Sequence, residues 1–214
     1  IDEKWNELIS EIENFSSHTI LASEFGATYP IEGLLPNSRW RSTCGSFGED
    51  LSKKSNREAA IQALPHYAAQ NENGAPPEYM HSYIKYSRAL YETNPEFFDK
   101  WKRGMSAVPN SWQKLEWRGD RSRKDIWQQT IQFRASGIRV MRPEMAPSLV
   151  AMTPTQTPII GSARRYVSLR EAASLQALDT LQSFPRTPAR AFKALGNAVN
   201  AKIVREIAKN LLNQ

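Results

Sequence analysis

The 214-residue sequence contains a single cysteine, Cys44. One cysteine cannot form an internal disulfide, and such usage is typical of a protein in a reducing cytoplasm. Apolar runs of membrane-spanning length are absent too, and no signal peptide is visible, so we expect no contact with a membrane. The three histidines are scattered without the spacing of metal ligands, so we expect neither a metal site nor a catalytic histidine.

Acidic residues are fewer than basic ones, 22 against 28, which leaves a formal charge of +6. This excess suits a polyanionic partner such as nucleic acid, although many proteins that bind no nucleic acid share it. Basic residues concentrate among aromatic and small polar residues at 112–124, including Arg118, Arg121, Arg123 and Lys124. Arginine and lysine contact phosphates, arginine also reads guanine, and a glutamine such as Gln113 can read adenine, so this segment is a candidate DNA contact. A solvated loop is the alternative interpretation.

A chain of this length can form one large or two small domains. Apolar residues at helical spacing predict four helices in its first half, at residues 2–15, 56–70, 77–91 and 95–104. We expect the aromatic residues on these helices, such as Tyr79 and Trp101, to lie in the core. The chain starts at Ile1 rather than methionine, so we expect a fragment of a longer protein or a trimmed chain.

The middle of the chain has strand-like patterns. Residues 37–55 are polar and rich in glycine and serine, which is typical of a loop. From Thr130 apolar residues alternate around Ser136-Gly137, which indicates a hairpin or a bulge, and short strands are expected at 149–152 and 157–160. Together with helices at the C-terminus, these patterns predict an α+β fold with a helical N-terminal half and a small β-rich segment.

Two stretches near the C-terminus carry the clearest local signals. Ser168 is a good helix N-cap, and Glu171 three residues later completes a capping box. Arg165 lies just before the cap, where its guanidinium can reach a neighbouring backbone group or carboxylate. Further on, Gly196-Asn197 is a turn-type pair before an apolar-striped helix that we expect to run from Val199 to the C-terminus. That pair is either a plain turn and cap or a close contact for a polar ligand.

The two stretches resemble the last two motifs of the DNA (cytosine-5)-methyltransferases, in the same order. The first motif is matched by the following residues: Arg165, Val167, Ser168, Arg170, Glu171, Ala173, Leu175 and Gln176. The second is matched by Leu195, Gly196, Asn197, Ala198 and Val199. Two departures concern loop shape: Ala177-Leu178-Asp179 stand where the family usually has Gly-Phe-Pro, and Asn200-Ala201 stand where it often has proline.

The resemblance implies a function in DNA modification, at the nucleoid of the bacterial cytoplasm. Residues 1–162 would be the target-recognition region, which contacts double-stranded DNA through Arg118, Arg121, Arg123, Lys124 and Arg134. Ser148 would touch the phosphate of the flipped nucleotide, and residues 163–214 would complete the methyltransferase domain. Gly196, Asn197, Ala198 and Val199 would border S-adenosylmethionine. Arg165, Ser168, Arg170 and Glu171 would have a structural role, with Arg165 and Glu171 linking the helix to the recognition region.

The family's catalytic motifs are absent from this sequence. It has no Gly-x-Gly turn for the cofactor, no Pro-Cys nucleophile and no Glu-Asn-Val acid. Cys44 follows Thr43 rather than proline, and we exclude it as the nucleophile. We therefore expect a chain without catalytic residues of its own, inactive alone. Its C-terminal helices would pack on a catalytic domain or a separate catalytic subunit, which would bind most of the cofactor.

Three alternatives remain open at this point. A stand-alone basic DNA-binding protein would account for the charge and predicts salt-sensitive duplex binding without methylation. A helical interaction module would account for the apolar stripes and predicts no DNA binding. An RNA-directed relative of the same family would share the closing motifs.

Overall fold

The computed structural model describes residues 2–12, 19–21, 23–34, 36–149 and 156–213. The chain folds as two compact units, the first formed by residues 1–118 and 135–138, the second by residues 119–134 and 139–214. Both units contain helices and strands, so the predicted α+β class is confirmed. The predicted division into a target-recognition region, 1–162, and a C-terminal segment, 163–214, stays a prediction. The two compact units are defined by packing and do not test which residues recognise DNA.

The first unit is mostly helical. Its helices are α1 (Asp2–Glu11), α2 (Arg57–Gln62), α3 (His66–Ala69), α4 (His81–Thr93) and α5 (Pro95–Trp101). Two strands, β1 (Thr19–Leu21) and β2 (Leu115–Arg118), pair antiparallel with Leu21 opposite Leu115. Within the described ranges, no helix of the chain is both long and apolar enough to cross a membrane.

Aromatic rings fill the core between α1 and α5. The ring centroids of Trp5 and Trp101 are 5.1 Å apart, and those of Phe25 and Phe98 are 4.7 Å apart. All four side chains are almost completely buried. Ring pairs of this kind combine a large buried apolar area with favourable relative orientations. The expectation that Trp101 is a core residue is confirmed.

Several predicted boundaries in this unit are wrong. Helix α1 ends at Glu11, and of the remaining residues predicted as helical, 13–15 lie outside the described ranges. The helix predicted at 56–70 is two helices separated at Pro65, because proline lacks an amide donor and disfavours helical geometry in the residue before it. The helix predicted at 77–91 begins only at His81, after a 3-10 turn that leaves Tyr79 73% exposed rather than in the core.

The segment predicted as a loop at 37–55 is packed rather than solvated. It contains three short 3-10 turns, and Trp40 and Leu51 are buried in a cluster with Ala60 and Leu64 of the following helical segment. The hydroxyl of Thr43 donates a 2.7 Å hydrogen bond to the carbonyl of Trp40. Two well-spaced apolar side chains therefore anchor a stretch whose overall composition is polar.

A buried polar network lies beside this cluster. The carboxylate of Glu24, which is 0% exposed, accepts hydrogen bonds from the hydroxyls of Tyr29 at 2.6 Å and Tyr67 at 2.5 Å. Nε of Arg88 donates to its other oxygen at 2.9 Å. Burial, followed by the charge of Glu24, raises the pKa of both tyrosines, so their hydroxyls remain protonated donors. The site can hold a buried charge because the carboxylate is paired with an arginine and hydrogen-bonded at both oxygens.

The described residues of the second unit form a small sheet and three α-helices. Its strands are β3 (Thr130–Arg134), β4 (Gly137–Met141, whose first two residues belong to the first unit), β5 (Ile159–Ile160) and β6 (Arg165–Tyr166). They follow the order β4-β3-β5-β6, and β5 pairs antiparallel with both β3 and β6. The predicted hairpin at Ser136-Gly137 is confirmed, and the strand predicted at 157–160 is limited to β5. Of the strand predicted at 149–152, residues 150–152 lie outside the described ranges.

The helices of the second unit are α6 (Leu169–Leu175), α7 (Pro188–Asn197) and α8 (Ala201–Leu212). Helix α7 is not predicted by the sequence analysis, although Thr187 caps it and Pro188 occupies its first turn, both standard start signals. Ala173 of α6 packs with Phe192 and Leu195 of α7 in a buried cluster. These contacts place the two C-terminal motifs side by side.

Candidate functional site

The first motif is organised around the carboxylate of Glu171. Both terminal nitrogens of Arg165 donate to it, Nη1 to Oε2 and Nη2 to Oε1, each at 2.8 Å. The backbone N–H and the hydroxyl of Ser168 also donate to Oε2 at 2.8 Å, and the N–H of Glu171 donates back to that hydroxyl at 3.2 Å. The predicted capping box is therefore confirmed, and so is the reach of Arg165 to a neighbouring carboxylate.

These donors lower the pKa of Glu171 to about 2. The hydrogen bonds from Arg165 contribute most, followed by those from Ser168, and the pKa of Arg165 is raised in return. The pair stays charged throughout the physiological range. Because the side chains are 51% and 39% exposed, the pair contributes to local geometry more than to stability.

Arg170 holds the segment after α6. Its Nη1 donates a 2.6 Å hydrogen bond to the carbonyl of Leu181, and its guanidinium lies 5.3 Å from the centre of the Phe184 ring. Ala177, at the point where the family usually has Gly-Phe-Pro, has a left-handed φ of 54°. Ala177-Leu178-Asp179, which stand in place of Gly-Phe-Pro, thus begin with a left-handed residue, and Arg170 binds the backbone just beyond them at Leu181.

The second motif lies at the end of a helix rather than at the start of one. Gly196 and Asn197 are the last two residues of α7, and Asn200 caps α8 by accepting from the N–H groups of Lys202 and Ile203. The prediction that Gly196-Asn197 forms the turn at the N-terminus of the last helix is wrong. The last helix begins at Ala201, two residues after its predicted start at Val199, and α7 was not predicted.

Hydrogen bonds join the second motif to the first. The side-chain amide of Gln176 donates to the carbonyl of Leu195 at 3.1 Å. The amide of Asn200 donates to the carbonyl of Leu175 at 3.0 Å, and the N–H of Ala201 donates to the carbonyl of Gln176, also at 3.0 Å. The end of α6 therefore fixes both ends of the short segment between α7 and α8.

The end of α7 and this short segment present the four residues predicted to border the cofactor. Asn197 and Val199 are exposed, Val199 by 74%, while Gly196 and Ala198 are half-buried. The side-chain amide of Asn197 has no hydrogen-bond partner among the described residues. A rigid backbone that exposes one amide and one apolar side chain is suited to form an edge of a binding site.

Helix α8 leaves its apolar stripe exposed. None of its residues is buried, and the stripe consists of Ile203, Val204, Ile207, Leu211 and Leu212, each between 47% and 84% exposed. An amphipathic helix ordinarily buries such a stripe against another element. Within the described part of the chain, nothing covers it.

The basic segment contains paired as well as exposed charges. Nε of Arg118 lies 2.5 Å from Glu116, and Nε of Arg123 lies 3.6 Å from Asp120. Arg121 is exposed and makes no ion pair within the described ranges. Lys124 and Arg134, both half-buried, each interact with other groups of the chain.

A buried glutamine, missed by the sequence analysis, shapes this segment. Gln129 is 1% exposed; its side-chain oxygen accepts from the N–H of Asp120 at 3.1 Å, and its nitrogen donates to the carbonyl of Arg123 at 2.8 Å. Its own carbonyl accepts from the N–H of Gly161 at 2.9 Å. The residues next to Gln129 in the sequence do not indicate that it is buried. Its burial depends on tertiary contacts, which the sequence alone does not show.

Two further residues discussed in the sequence analysis are Ser148, a predicted phosphate contact, and Cys44, which was excluded as the nucleophile. Ser148 is exposed in an irregular segment, where its role as a phosphate contact stays a prediction. Cys44 lies in the first unit, where its backbone forms an isolated bridge with Asp50 and accepts from the N–H groups of Thr28 and Tyr29. Among the described residues, no three metal-ligating side chains gather in one place.

Comparisons with known proteins agree with the two motifs. Residues 32–213 match the family of C-5 cytosine-specific DNA methylases. Over 111 residues the chain is 40% identical to the type II methyltransferase M.AluI of Cellulosimicrobium cellulans, a match that covers 51% of this chain. The same match covers 21% of M.AluI, so the chain spans about a fifth of that protein. No solved structure matches the chain. Because the matched region includes most of the chain and both closing motifs, the protein belongs to the C-5 cytosine-specific DNA methylase family.

Proposed function

We propose that this chain is the target-recognition and C-terminal part of a DNA cytosine-5 methyltransferase of the restriction-modification type. It works in the bacterial cytoplasm on double-stranded DNA with S-adenosylmethionine as methyl donor. The nucleophile, the acid and most of the cofactor site come from a catalytic domain or subunit that carries Pro-Cys and Glu-Asn-Val. The chain alone is inactive.

One observation carries this proposal. The apolar stripe of α8 is exposed along its whole length, directly after two family motifs that are locked together by hydrogen bonds. Exposed apolar area of this extent is costly in water, and burial against a partner removes that cost. A catalytic domain is the partner that the family membership supplies, since this sequence contains no Pro-Cys or Glu-Asn-Val.

The end of α7 and the residues that follow it fit one edge of a cofactor site. S-adenosylmethionine supplies a methyl group from a sulfonium centre. The exposed amide of Asn197 can bind a polar group of the cofactor, and Val199 can form an apolar wall. The C-terminal end of α7 also carries partial negative charge, which suits a cationic ligand. The rest of the site, including any glycine turn, has to come from the catalytic part.

The basic segment supports the DNA-recognition part of the proposal. Arg118, Arg121 and Arg123 are exposed along one short stretch, and Gln129 holds the backbone of residues 120–123 in place. Phosphate contacts from such side chains position a protein on a duplex. A partly pre-organised segment loses less entropy on binding than a free loop.

The proposal is tested by isolating the polypeptide from its source cell and measuring its mass together with the proteins that co-purify. A longer single chain, or a second protein with Pro-Cys and Glu-Asn-Val, is the expected result. Methyl transfer from labelled S-adenosylmethionine to duplex DNA is then measured for the 214-residue chain alone and with the catalytic polypeptide added. We expect activity only in the mixture.

Three outcomes contradict the proposal. Methyl transfer by the 214-residue chain alone would reject its inactivity. A native chain of this size with no partner, combined with salt-sensitive duplex binding, would favour a stand-alone DNA-binding protein. Transfer to RNA in preference to duplex DNA in the mixture would favour an RNA-directed relative.

A further inference from the structure

A polar groove lies in the first unit, away from the sequence motifs. It consists of two cavities of about 340 and 220 Å³ that share three lining residues, His66, Asn110 and Gln113. The larger cavity is also lined by Gln70, Tyr79 and Lys114. We call this surface the amide groove, because three of these side chains are primary amides. Gln113 and Lys114 also belong to the basic segment at residues 112–124, whereas the other four residues lie outside it.

We propose that the amide groove reads base edges of the target DNA, with Asn110 and Gln113 as specificity-determining residues. This inference rests on the proposed function, since it takes duplex DNA as the substrate. It adds a site of base recognition to the phosphate contacts proposed for Arg118, Arg121 and Arg123. The fixed positions of its side chains and their chemistry both support this role.

Several contacts hold the walls of the groove in fixed positions. Nε2 of Gln113 donates to the carbonyl of Val108 at 2.7 Å, which fixes the amide and leaves its oxygen as an acceptor. The side-chain amide of Gln70 lies 2.9 Å from Nε2 of His66. Tyr67, another lining residue, is anchored at its hydroxyl by the buried carboxylate of Glu24. Sites that discriminate between ligands need this kind of support.

The hairpin turn closes one side of the groove. The turn residues Ala135 and Ser136 line the larger cavity, and the N–H of Ile138 donates to the carbonyl of Lys114 at 2.9 Å. Gly137, with φ of 132°, permits this approach, because a Cβ there would lie 2.9 Å from Cε and 3.0 Å from the carbonyl oxygen of Lys114. The position of Lys114 in the groove thus depends on a glycine.

The side chains of the groove match base edges. Asparagine and glutamine can donate and accept at once, which suits the N6 and N7 atoms of adenine, and lysine suits the acceptors of guanine. Asn110 is exposed, and its amide has no hydrogen-bond partner among the described residues. Glu49, whose carboxylate lines the smaller cavity, forms an ion pair with Lys54, so its charge is compensated. The ring of Tyr79, 73% exposed, offers a flat apolar surface for a base or a thymine methyl group.

The arginines of the basic segment lack these properties. Arg118 and Arg123 are engaged with Glu116 and Asp120, and ion-paired guanidinium groups are less free to form bidentate contacts with guanine. Phosphate contacts fix register on DNA but carry little sequence information. A family member that modifies particular sites therefore needs a second surface for readout, and the amide groove has the appropriate donors and acceptors.

Asn110→Ala tests the inference, because this change removes an amide without breaking a hydrogen bond of the described structure. The 214-residue chain is incubated with duplexes that contain about twelve randomised base pairs, roughly one turn of B-DNA, and the bound fraction is sequenced. The affinities for the selected duplex and for a scrambled duplex are then measured at one salt concentration. We expect the wild-type chain to select a sequence. Asn110→Ala should reduce discrimination at one base pair by about tenfold and leave the affinity for scrambled duplex within about twofold.

Two further variants complete the experiment. Asn110→Asp keeps the size of the side chain but removes its donors, and it should lose discrimination at the same base pair. Gln128→Ala removes an exposed amide of the second unit, outside the groove, and should leave discrimination unchanged. Circular dichroism establishes that each variant folds.

The inference is overturned if the wild-type chain selects no sequence, or if Asn110→Ala retains full discrimination. An equal loss of affinity for selected and scrambled duplexes would also overturn it, since that pattern belongs to a phosphate contact. Failure of the base-reading inference can be distinguished from failure of the proposed methyltransferase function. A chain that reads a sequence but never supports methyl transfer would leave the groove assignment standing and reject the methyltransferase role.

Discussion

The guanidinium of Arg165 and the carboxylate of Glu171 form a two-point contact, with both N–O distances at 2.8 Å. The same carboxylate also accepts from the backbone and the hydroxyl of Ser168. One side chain therefore closes the capping box of α6 and orients an arginine six residues earlier in the chain. This geometry combines a helix cap with a bidentate ion pair.

Replacing Glu171 by glutamine should destabilise the chain by about 0.5 kcal/mol at pH 7, because the amide keeps the cap but loses the charge pair. The pKa of Glu171 falls from 4.5 to about 2 on folding, so its contribution is complete above pH 4.5 and is lost as the pH falls towards 2. Urea unfolding of both proteins at pH 7 and pH 2 measures the difference. Glu206→Gln, which breaks the exposed pair with Lys209 outside any cap, is the control. A difference that persists unchanged at pH 2 would contradict this role.

Gly161→Ala should destabilise the chain by about 2 kcal/mol, because the structure around this glycine leaves no room for a methyl group. A Cβ there would lie 2.3 Å from the carbonyl oxygen of Gln129 and 2.9 Å from those of Ile126 and Trp127. Gly104→Ala is the matched control, since nothing lies within 4 Å of its Cβ and only its φ of 82° is unfavourable. We expect the control to cost about 1 kcal/mol, and urea unfolding compares the two. An equal or smaller cost at Gly161 would show that the surrounding carbonyls move aside.

Arg121→Ala should weaken duplex binding equally for all sequences. The slope of log affinity against log salt should become shallower by about 0.9, the contribution of one phosphate contact. Fluorescence anisotropy at several salt concentrations measures the slope. Arg205→Ala removes an exposed arginine of α8 and serves as the control. If both variants change the slope equally, the effect is one of net charge and the basic segment has no special role.

Asn197→Ala should weaken the binding of S-adenosylmethionine by about tenfold in the chain assembled with its catalytic part, and DNA affinity should remain the same. The reason is that its amide is exposed on a backbone segment fixed by Gln176 and Asn200. Isothermal titration with the cofactor and anisotropy with duplex DNA provide the two readouts. Asn213→Ala, beyond the end of α8, is the control. Loss of DNA affinity with unchanged cofactor binding would reverse the assigned roles.

Ile207→Ser should leave the stability of the 214-residue chain within about 0.5 kcal/mol of the wild type, because this side chain is already 55% exposed. The same change should weaken association with the catalytic polypeptide by at least about tenfold, since a buried apolar contact would be lost there. Lys209→Ser on the same helix controls for helix propensity. Urea unfolding of the 214-residue chain measures its stability, and titration with the catalytic polypeptide measures their association. A large loss of stability in the isolated chain would mean that α8 is already packed within it.

Signals that span a few residues were readable from the sequence. The capping box depends on Ser168 and Glu171, three residues apart, and the hairpin depends on Ser136-Gly137; both form as predicted. Helix content followed from apolar periodicity, although Pro65 divides one predicted helix and Thr187 starts one that was missed. In each case the controlling interaction is local, so the chain carries it whatever the rest of the fold does.

Only the tertiary structure decided the surroundings of particular side chains. Burial of Glu24 depends on Tyr67 and Arg88, which lie 43 and 64 residues away in the chain. The amide groove likewise brings Gln70 and Gln113 together with the hairpin turn. Tyr79 has the spacing of a core residue, yet a 3-10 turn exposes it. The sequence by itself determined the family and the local caps, because both depend on neighbouring residues. The fold determined which polar groups are buried and which remain open to solvent, because that depends on residues brought together from distant parts of the chain.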